Sequence, residues 1–260
     1  MSNITFENYY KNYQKFSDEQ KNQILEIAPR LRMLRNNKKS RSIIQAYPYE
    51  KTYKLNQDST INISNTDEAI SAYNSYVKKN GKEPAYVLLN QEILFIVADQ
   101  MKNIMHNYQI LDDGSDEPIV TTEEEPRFVP SVYEKVIFIT GAAQGLGQGI
   151  ARDLVEKGAY TIIADLNFEG AKETAKEFDQ EFGEGTSLPV KINVADESDV
   201  QNALKMCVAF YGGLDVMVSN AGVVRAGSLD ELSVEDFNFV TSINYNAYFI
   251  VTKYSQKIMK

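Results

Sequence analysis

From Lys135 onward, apolar residues fall in short dense runs separated by longer stretches in which they recur every three or four positions. The runs are "KVIFIT", "YTIIADL", "LPVKINV" and "LDVMVSN". Each is short, bounded by polar or glycine residues, and carries β-branched side chains, as a buried strand does. Between them lie "GQGIARDLVEKGA", "FEGAKETAKEFDQEFG" and "SDVQNALKMCVAFYGG", whose spacing predicts amphipathic helices. Such alternation predicts an α/β architecture, a parallel sheet joined by right-handed crossovers.

The first half follows another pattern. Ser17 with Gln20 three residues on forms a capping-box signature ahead of the apolar face of "QILEIAPRLRML". Pro29 interrupts that face and predicts a kink or a second helix starting there. A cleaner helix is expected in "NTDEAISAYNSYVKKNG", capped by Asn65 or Thr66, with Ala69, Ile70, Tyr73 and Val77 inward and Gly81 as its stop. "AYVLLNQEILFIVAD" reads as two strands about a polar turn, a hairpin. The first half is therefore expected to be α+β. Its tyrosines Tyr9, Tyr10, Tyr13, Tyr47, Tyr49 and Tyr53 suit packing or an interface better than ligand stacking.

Between the halves, "DDGSDEPIVTTEEEPRFVP" holds seven acids, one base and three prolines. Like charges and Pro together predict an exposed linker. The expected division is 1–111, an acidic linker at 112–131, and 132–260.

Composition then removes whole classes of function. The net charge of -9 disfavours a nucleic-acid partner, and the one basic run, "RLRMLRNNKKSRS", suits a solvated helix end. One cysteine, Cys207, permits no internal disulfide, and it sits in a run where it reads as a small core residue. One histidine, His106, rules out the usual zinc clusters, so no metal is expected. No apolar run is long enough to span a bilayer, and the first residues lack the pattern of a signal peptide. The expected setting is the cytoplasm, with no membrane partner.

Chemistry enters at Thr140-Gly141-Ala142-Ala143-Gln144-Gly145-Leu146-Gly147. Glycines between a strand and a helix let the backbone approach a pyrophosphate, which then meets unpaired N–H groups at the helix start. The next strand ends in Asp165, 24 residues after Gly141, where an acid can accept hydrogen bonds from both ribose hydroxyls of an adenosine. A 2′-phosphate would meet Asp165 as a like charge with no Arg or Lys beside it, so NAD is favoured over NADP. No Gly-Lys-Ser/Thr follows the glycines, which excludes a P-loop.

With these residues the second half resembles the short-chain dehydrogenase/reductase family, whose turn reads T-G-x-x-x-G-x-G. The family's N-A-G appears as Asn220-Ala221-Gly222, and Asn244 in "SINYNAYF" matches the asparagine that members use to hold a water in a proton relay. One position departs: members commonly have Asp where "KINVAD" has Asn193. The resemblance implies that Thr140, Gly141, Gln144, Gly145, Leu146, Gly147, Asp165, Leu166, Asn193, Val194, Asn220, Ala221 and Gly222 line a NAD site. It implies a catalytic part for Asn244 and a Rossmann sheet ordered 3-2-1-4 as far as the chain goes. Strand 4 would then leave an open edge.

The subgroup it resembles further is the sorbitol-6-phosphate 2-dehydrogenase-like proteins and the bifunctional aldolase/short-chain dehydrogenases. "GKEPAYVLLNQEILFIVAD" is similar to the tail of a class II aldolase domain, which makes the first half an aldolase-like remnant. The implied activity is an NAD(P)-dependent oxidoreductase acting on a polyol phosphate or alcohol, and the Asp236–Lys260 helix implies a dimer or tetramer. The family's Ser and Tyr-x-x-x-Lys are missing, and Lys260 falls inside a helix pattern. The chain is therefore expected to be an N-terminal portion of a longer enzyme, inactive alone. The other reading is a non-catalytic dinucleotide-binding or interaction module.

Overall fold

The computed structural model describes residues 6–35, 42–112, 114, 116–120 and 130–259. Part of the basic run and most of the acidic seam lie outside the described residues. The chain divides into two compact units. The first is Met1–Glu134 with Val208–Gly213, and the second is Lys135–Cys207 with Leu214–Lys260.

In the first unit the elements run α1 (Phe6–Gln14), α2 (Asp18–Leu34), β1 (Ile43–Pro48), β2 (Thr60–Ile63), α3 (Glu68–Asn80), β3 (Tyr86–Leu89), β4 (Ile93–Ala98) and α4 (Met101–Gln109). The sheet is mixed and ordered β1-β4-β3-β2. β3 and β4 form the expected antiparallel hairpin, with Leu89 opposite Ile93. Its turn places Asn90 and Gln91 at φ 51° and 57°, and the Glu92 N–H closes it onto Leu89 O at 2.9 Å. Two consecutive left-handed residues match the twist of the flanking strands, which is how a turn without glycine still makes a hairpin. β1 adds to β4 antiparallel, while β2 pairs with β3 in parallel.

The Ser17 capping box forms, with Ser17 Oγ accepting from the Gln20 N–H and Gln20 Oε1 accepting from the Ser17 N–H. Pro29, however, starts no second helix: α2 runs through it to Leu34. Burial of Ile24, Ile27, Ala28 and Leu31 along one face outweighs the backbone hydrogen bond that proline cannot make. α3 stops at Gly81, which is left-handed at φ 67°. At its start Asn65 Oδ1, rather than Thr66, accepts the N–H groups of Asp67 and Glu68. Ile70 departs from the expected inner face and is 43% exposed, while Ala69 and Tyr73 are buried.

Tyrosine packing fills this core. Tyr47 stacks on Tyr108 with ring centroids 4.3 Å apart, and Tyr9 meets Tyr47 and Phe210 edge-on. The Tyr9 hydroxyl donates to Ala209 O. Burial pushes the Tyr9 and Tyr47 phenols up, so both remain neutral donors.

Glu134 is the last residue of the unit's first segment. It is buried, left-handed at φ 57°, and accepts a hydrogen bond from Gln100 Nε2 at 3.1 Å. Burial pushes its carboxyl up to about 7; Asp99 adds to the rise, while Gln100, Tyr133 and Arg35 oppose it. The folded state thus holds the proton more tightly than the unfolded chain, whose glutamate titrates near 4.5. Stability from this group is full below that value and is lost as pH rises through about 7. Glu134→Gln should therefore melt higher than the wild type at pH 8, on the order of a few degrees, and alike near pH 5. Asp179, which burial pushes up to about 6, keeps a lower-pH decline in both proteins. Melting curves across that range check this, and equal differences at every pH would refute it.

The second unit runs β5 (Val136–Thr140), α5 (Gly145–Glu156), β6 (Tyr160–Asp165), α6 (Phe168–Phe182), β7 (Ser187–Lys191), α7 (Glu197–Tyr211), β8 (Val216–Val218), α8 (Val234–Thr241) and α9 (Ala247–Ser255). The last turn of α7 counts with the first unit. All pairings are parallel and the order is β7-β6-β5-β8, the expected 3-2-1-4. It is a Rossmann-like α/β sheet. α6 buries Ala171, Thr174, Ala175 and Phe178, one stripe at helical spacing. Cys207 is fully buried, as a core residue should be.

Between α8 and α9 the helix widens into a π turn at Ser242–Asn246. In and near this segment of the chain Leu229, Val234, Phe237, Tyr245 and Phe249 are exposed. Among the described residues no helix is long and apolar enough to cross a membrane.

Candidate dinucleotide site

β5 is where the second sheet's strand order reverses: the chain builds outward to β6 and β7, then returns to place β8 on the other side. A crevice opens beyond strand ends at such a switch point, and ligands of doubly wound sheets bind there.

Thr140 closes β5 with its side chain fully buried. Its Oγ1 accepts the N–H groups of Asn220 and Ala221, each at 3.0 Å, and faces Val218 O at 3.4 Å. Asn220 answers with its amide: Nδ2 donates to Thr140 O at 2.9 Å and Gly141 O at 3.2 Å. These bonds fasten the exits of β5 and β8 together, and they give the Thr140-Gly141 and Asn220-Ala221 pairs a shared structural purpose.

Gly141 and Gly147 are glycines for want of space. A Cβ on Gly141, itself at φ +69°, would lie 2.9 Å from Ala221 Cα. One on Gly147 would lie 2.2 Å from Gly141 O and 2.5 Å from Asn220 Nδ2. The first turn of α5 is thus pressed against the strand exit. Gln144 caps it in extended conformation without a side-chain bond, and Gln144, Gly145 and Leu146 are exposed. The first N–H groups of a helix have no acceptor within it, so this turn presents donors and the positive helix end to solvent. That is the cradle an anion such as pyrophosphate requires, and a dinucleotide's phosphates fit it.

Asp165 ends β6. Its Oδ2 accepts the Ala143 N–H at 3.1 Å and its Oδ1 accepts the Asn167 N–H at 2.9 Å. Each oxygen keeps a further lone pair, so the carboxylate can shape the turn and still receive hydroxyls. Leu166 beside it is 65% exposed. Asn193 follows β7, and its Oδ1 accepts the Ala195 N–H at 3.1 Å while its own N–H reaches Asp199 Oδ2. Its side chain therefore shapes the strand exit, with Val194 buried behind it.

Asn244 sits inside the π turn. Its Oδ1 accepts the Val223 N–H at 2.8 Å and its Nδ2 donates to Val223 O at 2.9 Å. Gly222 packs against the same amide, its Cβ position 3.4 Å from Asn244 Oδ1. This side chain pins the loop after Asn220-Ala221-Gly222 to the helix. A π turn disrupts the regular carbonyl ladder, and that leaves backbone groups here for other partners.

Two residues of this region, Thr174 and Gln148, lie outside the sequence motifs. Thr174, on the buried stripe of α6, donates its hydroxyl to Ala143 O at 3.1 Å and accepts from Gln148 Nε2 at 3.2 Å. A polar residue on an otherwise apolar face was the signal available for it. Among the described residues no group of His, Cys, Asp and Glu could hold a metal ion. His106 has its Nε2 3.4 Å from Glu117 O in the first unit and takes no part in this site.

Comparison with known proteins bears on the same segment. Residues 135–260 match the family described as short chain dehydrogenase. An uncharacterized oxidoreductase, YuxG of Bacillus subtilis, is 38% identical over 126 residues, 48% of this chain and 18% of its own length. The 2,5-dichloro-2,5-cyclohexadiene-1,4-diol dehydrogenase LinX of Sphingobium indicum is 35% identical over 119 residues, 46% of this chain and 47% of its own. The chain thus spans less than half the length of either relative. Among solved structures, sorbitol-6-phosphate 2-dehydrogenase SrlD from Erwinia amylovora superposes with TM-score 0.46 at 26% identity, covering 48% of each chain.

Proposed function

We propose that residues 135–260 form the NAD-binding segment of a short-chain oxidoreductase. The observation that carries the reading is the close approach at Gly147, which has no room for a side chain and presses a helix start with exposed donors against the β5 exit. In this reading the pyrophosphate lies on the Gln144–Gly147 turn, and Asp165 takes the adenosine ribose. NAD, when bound, supplies hydride transfer at its nicotinamide.

Asp165 also favours NAD over NADP, because a 2′-phosphate would bring a second anion against its carboxylate. We read the whole protein as acting on the CH–OH group of a polyol phosphate or alcohol, with Asn244 holding the loop beside the reacting end. No tyrosine after Lys135 has a lysine four residues on, so a Tyr-x-x-x-Lys proton relay is not supplied by this segment. The alternative reading is a dinucleotide-binding module without catalysis of its own. Reading the coding DNA past codon 260 separates them: an in-frame Ser and Tyr-x-x-x-Lys supports the enzyme, and a stop codon supports the module.

The binding claim is tested by titrating the chain with NADH and with NADPH and following nucleotide fluorescence. NADH should bind at least about tenfold more tightly, the factor that about 1.4 kcal/mol of charge repulsion would give. Equal or tighter NADPH binding would remove Asp165 from its proposed place.

A further inference from the structure

The Ala143 peptide groups are held from two sides. Its N–H goes to Asp165 Oδ2 at 3.1 Å, and its carbonyl receives the Thr174 hydroxyl at 3.1 Å. A trans peptide is planar, so the carbonyl of Ala143 and the N–H of Gln144 point in opposite directions. Fixing Ala143 O on α6 therefore turns the Gln144 N–H away from α6. Gln144, whose N–H this is, is the exposed cap residue of α5. Thr174 itself is 3% exposed, and its hydroxyl also accepts from Gln148 Nε2 at 3.2 Å. A buried hydroxyl with both its partners satisfied is a rigid support, unlike a solvated one.

We propose that Thr174 is a positioning residue for the phosphate turn, orienting the Ala143–Gln144 peptide so that the Gln144 N–H is offered to a dinucleotide pyrophosphate. The proposal rests on the reading of this turn as a dinucleotide site. Thr174 would touch no ligand; it would act through one backbone carbonyl. Valine at this position keeps the shape and removes the donor, leaving Ala143 O free to rotate, whereas serine keeps the donor.

The test uses the full chain and measures affinity for NADH and for adenosine, which has no phosphate. Thr174→Val should weaken NADH about tenfold, the size of one lost hydrogen bond to a charged group, and leave adenosine unchanged. Thr174→Ser and Gln148→Ala should both stay within about threefold of the wild type, since each retains the bond to Ala143 O. Undiminished NADH binding by Thr174→Val would overturn the proposal. So would an equal loss for adenosine, or a loss in Gln148→Ala as large as in the valine variant, because either points to general loosening of α5 on α6. A readout that needs no variant is the Gln144 amide proton in the wild type, which should move downfield when NADH binds. An unmoved Gln144 resonance beside shifted neighbours refutes the role of Thr174 while sparing the site. A wild type that binds no NADH overturns both together.

Discussion

Gly147→Ala should abolish dinucleotide binding and destabilise the second unit by about 3 kcal/mol, lowering its melting temperature by on the order of 10 °C. The new methyl would stand 2.2 Å from Gly141 O and 2.5 Å from Asn220 Nδ2. Neither atom can yield cheaply. The carbonyl belongs to the strand exit, and the amide is bonded to that same carbonyl and to Thr140 O. Relief requires α5 to lift from β5, and lifting dismantles the cradle. Gly149, two residues further along the same helix, supplies the control, because a Cβ there meets nothing within 4 Å. Gly149→Ala should therefore gain about 0.5–1 kcal/mol from helix propensity alone. Thermal melts of both variants decide the matter: if they behave alike, the close approach at Gly147 is not what the structure makes it.

The second large effect is expected from Thr140→Val, which should cost about 2–4 kcal/mol in denaturant unfolding of the second unit. Valine fills the same space but removes Oγ1, the acceptor for the N–H groups of both Asn220 and Ala221. Two backbone donors would then face an apolar side chain, and each pays the desolvation of an unsatisfied group. Thr140→Ser keeps the acceptor and should recover most of the loss. If serine and valine destabilise equally, the methyl group and its packing carry the stability, and the bonded junction between β5 and β8 does not.

Much of this architecture can be read from the residues because local and global preferences agree. The dense runs beginning at "KVIFIT" become parallel strands in the expected order, since each is rich in apolar residues and the first three are followed by amphipathic helices that cover the sheet. The Ser17 box and the Gly81 stop depend on side chains within a few residues, and so they too are visible in one dimension.

What escapes depends on distance along the chain. The Tyr9 hydroxyl meets Ala209 across 200 residues, and no periodicity encodes the inclusion of Val208–Gly213 in the first unit. Pro29 starts no second helix because the burial around Ile24, Ile27 and Leu31, which the sequence does not display, outweighs its visible local cost. Asn244 meets its partner only through the fold: both polar ends of its amide bond the Val223 backbone, which no local pattern announces. Thr174 was hidden by its neighbours, one hydroxyl on the apolar face of a helix that otherwise needs no comment.

The central claim is that the β5–α5 turn and the end of β6 together hold NAD. Backbone amide chemical shifts of the full chain, recorded with and without NAD, test it most directly. The expected result is a set of shifts concentrated at Gly141, Gln144–Gly147 and Asp165–Asn167, with smaller ones at Asn220–Gly222 and none in the β1–β4 sheet. No shifts at millimolar NAD, or shifts centred away from these residues, would contradict it.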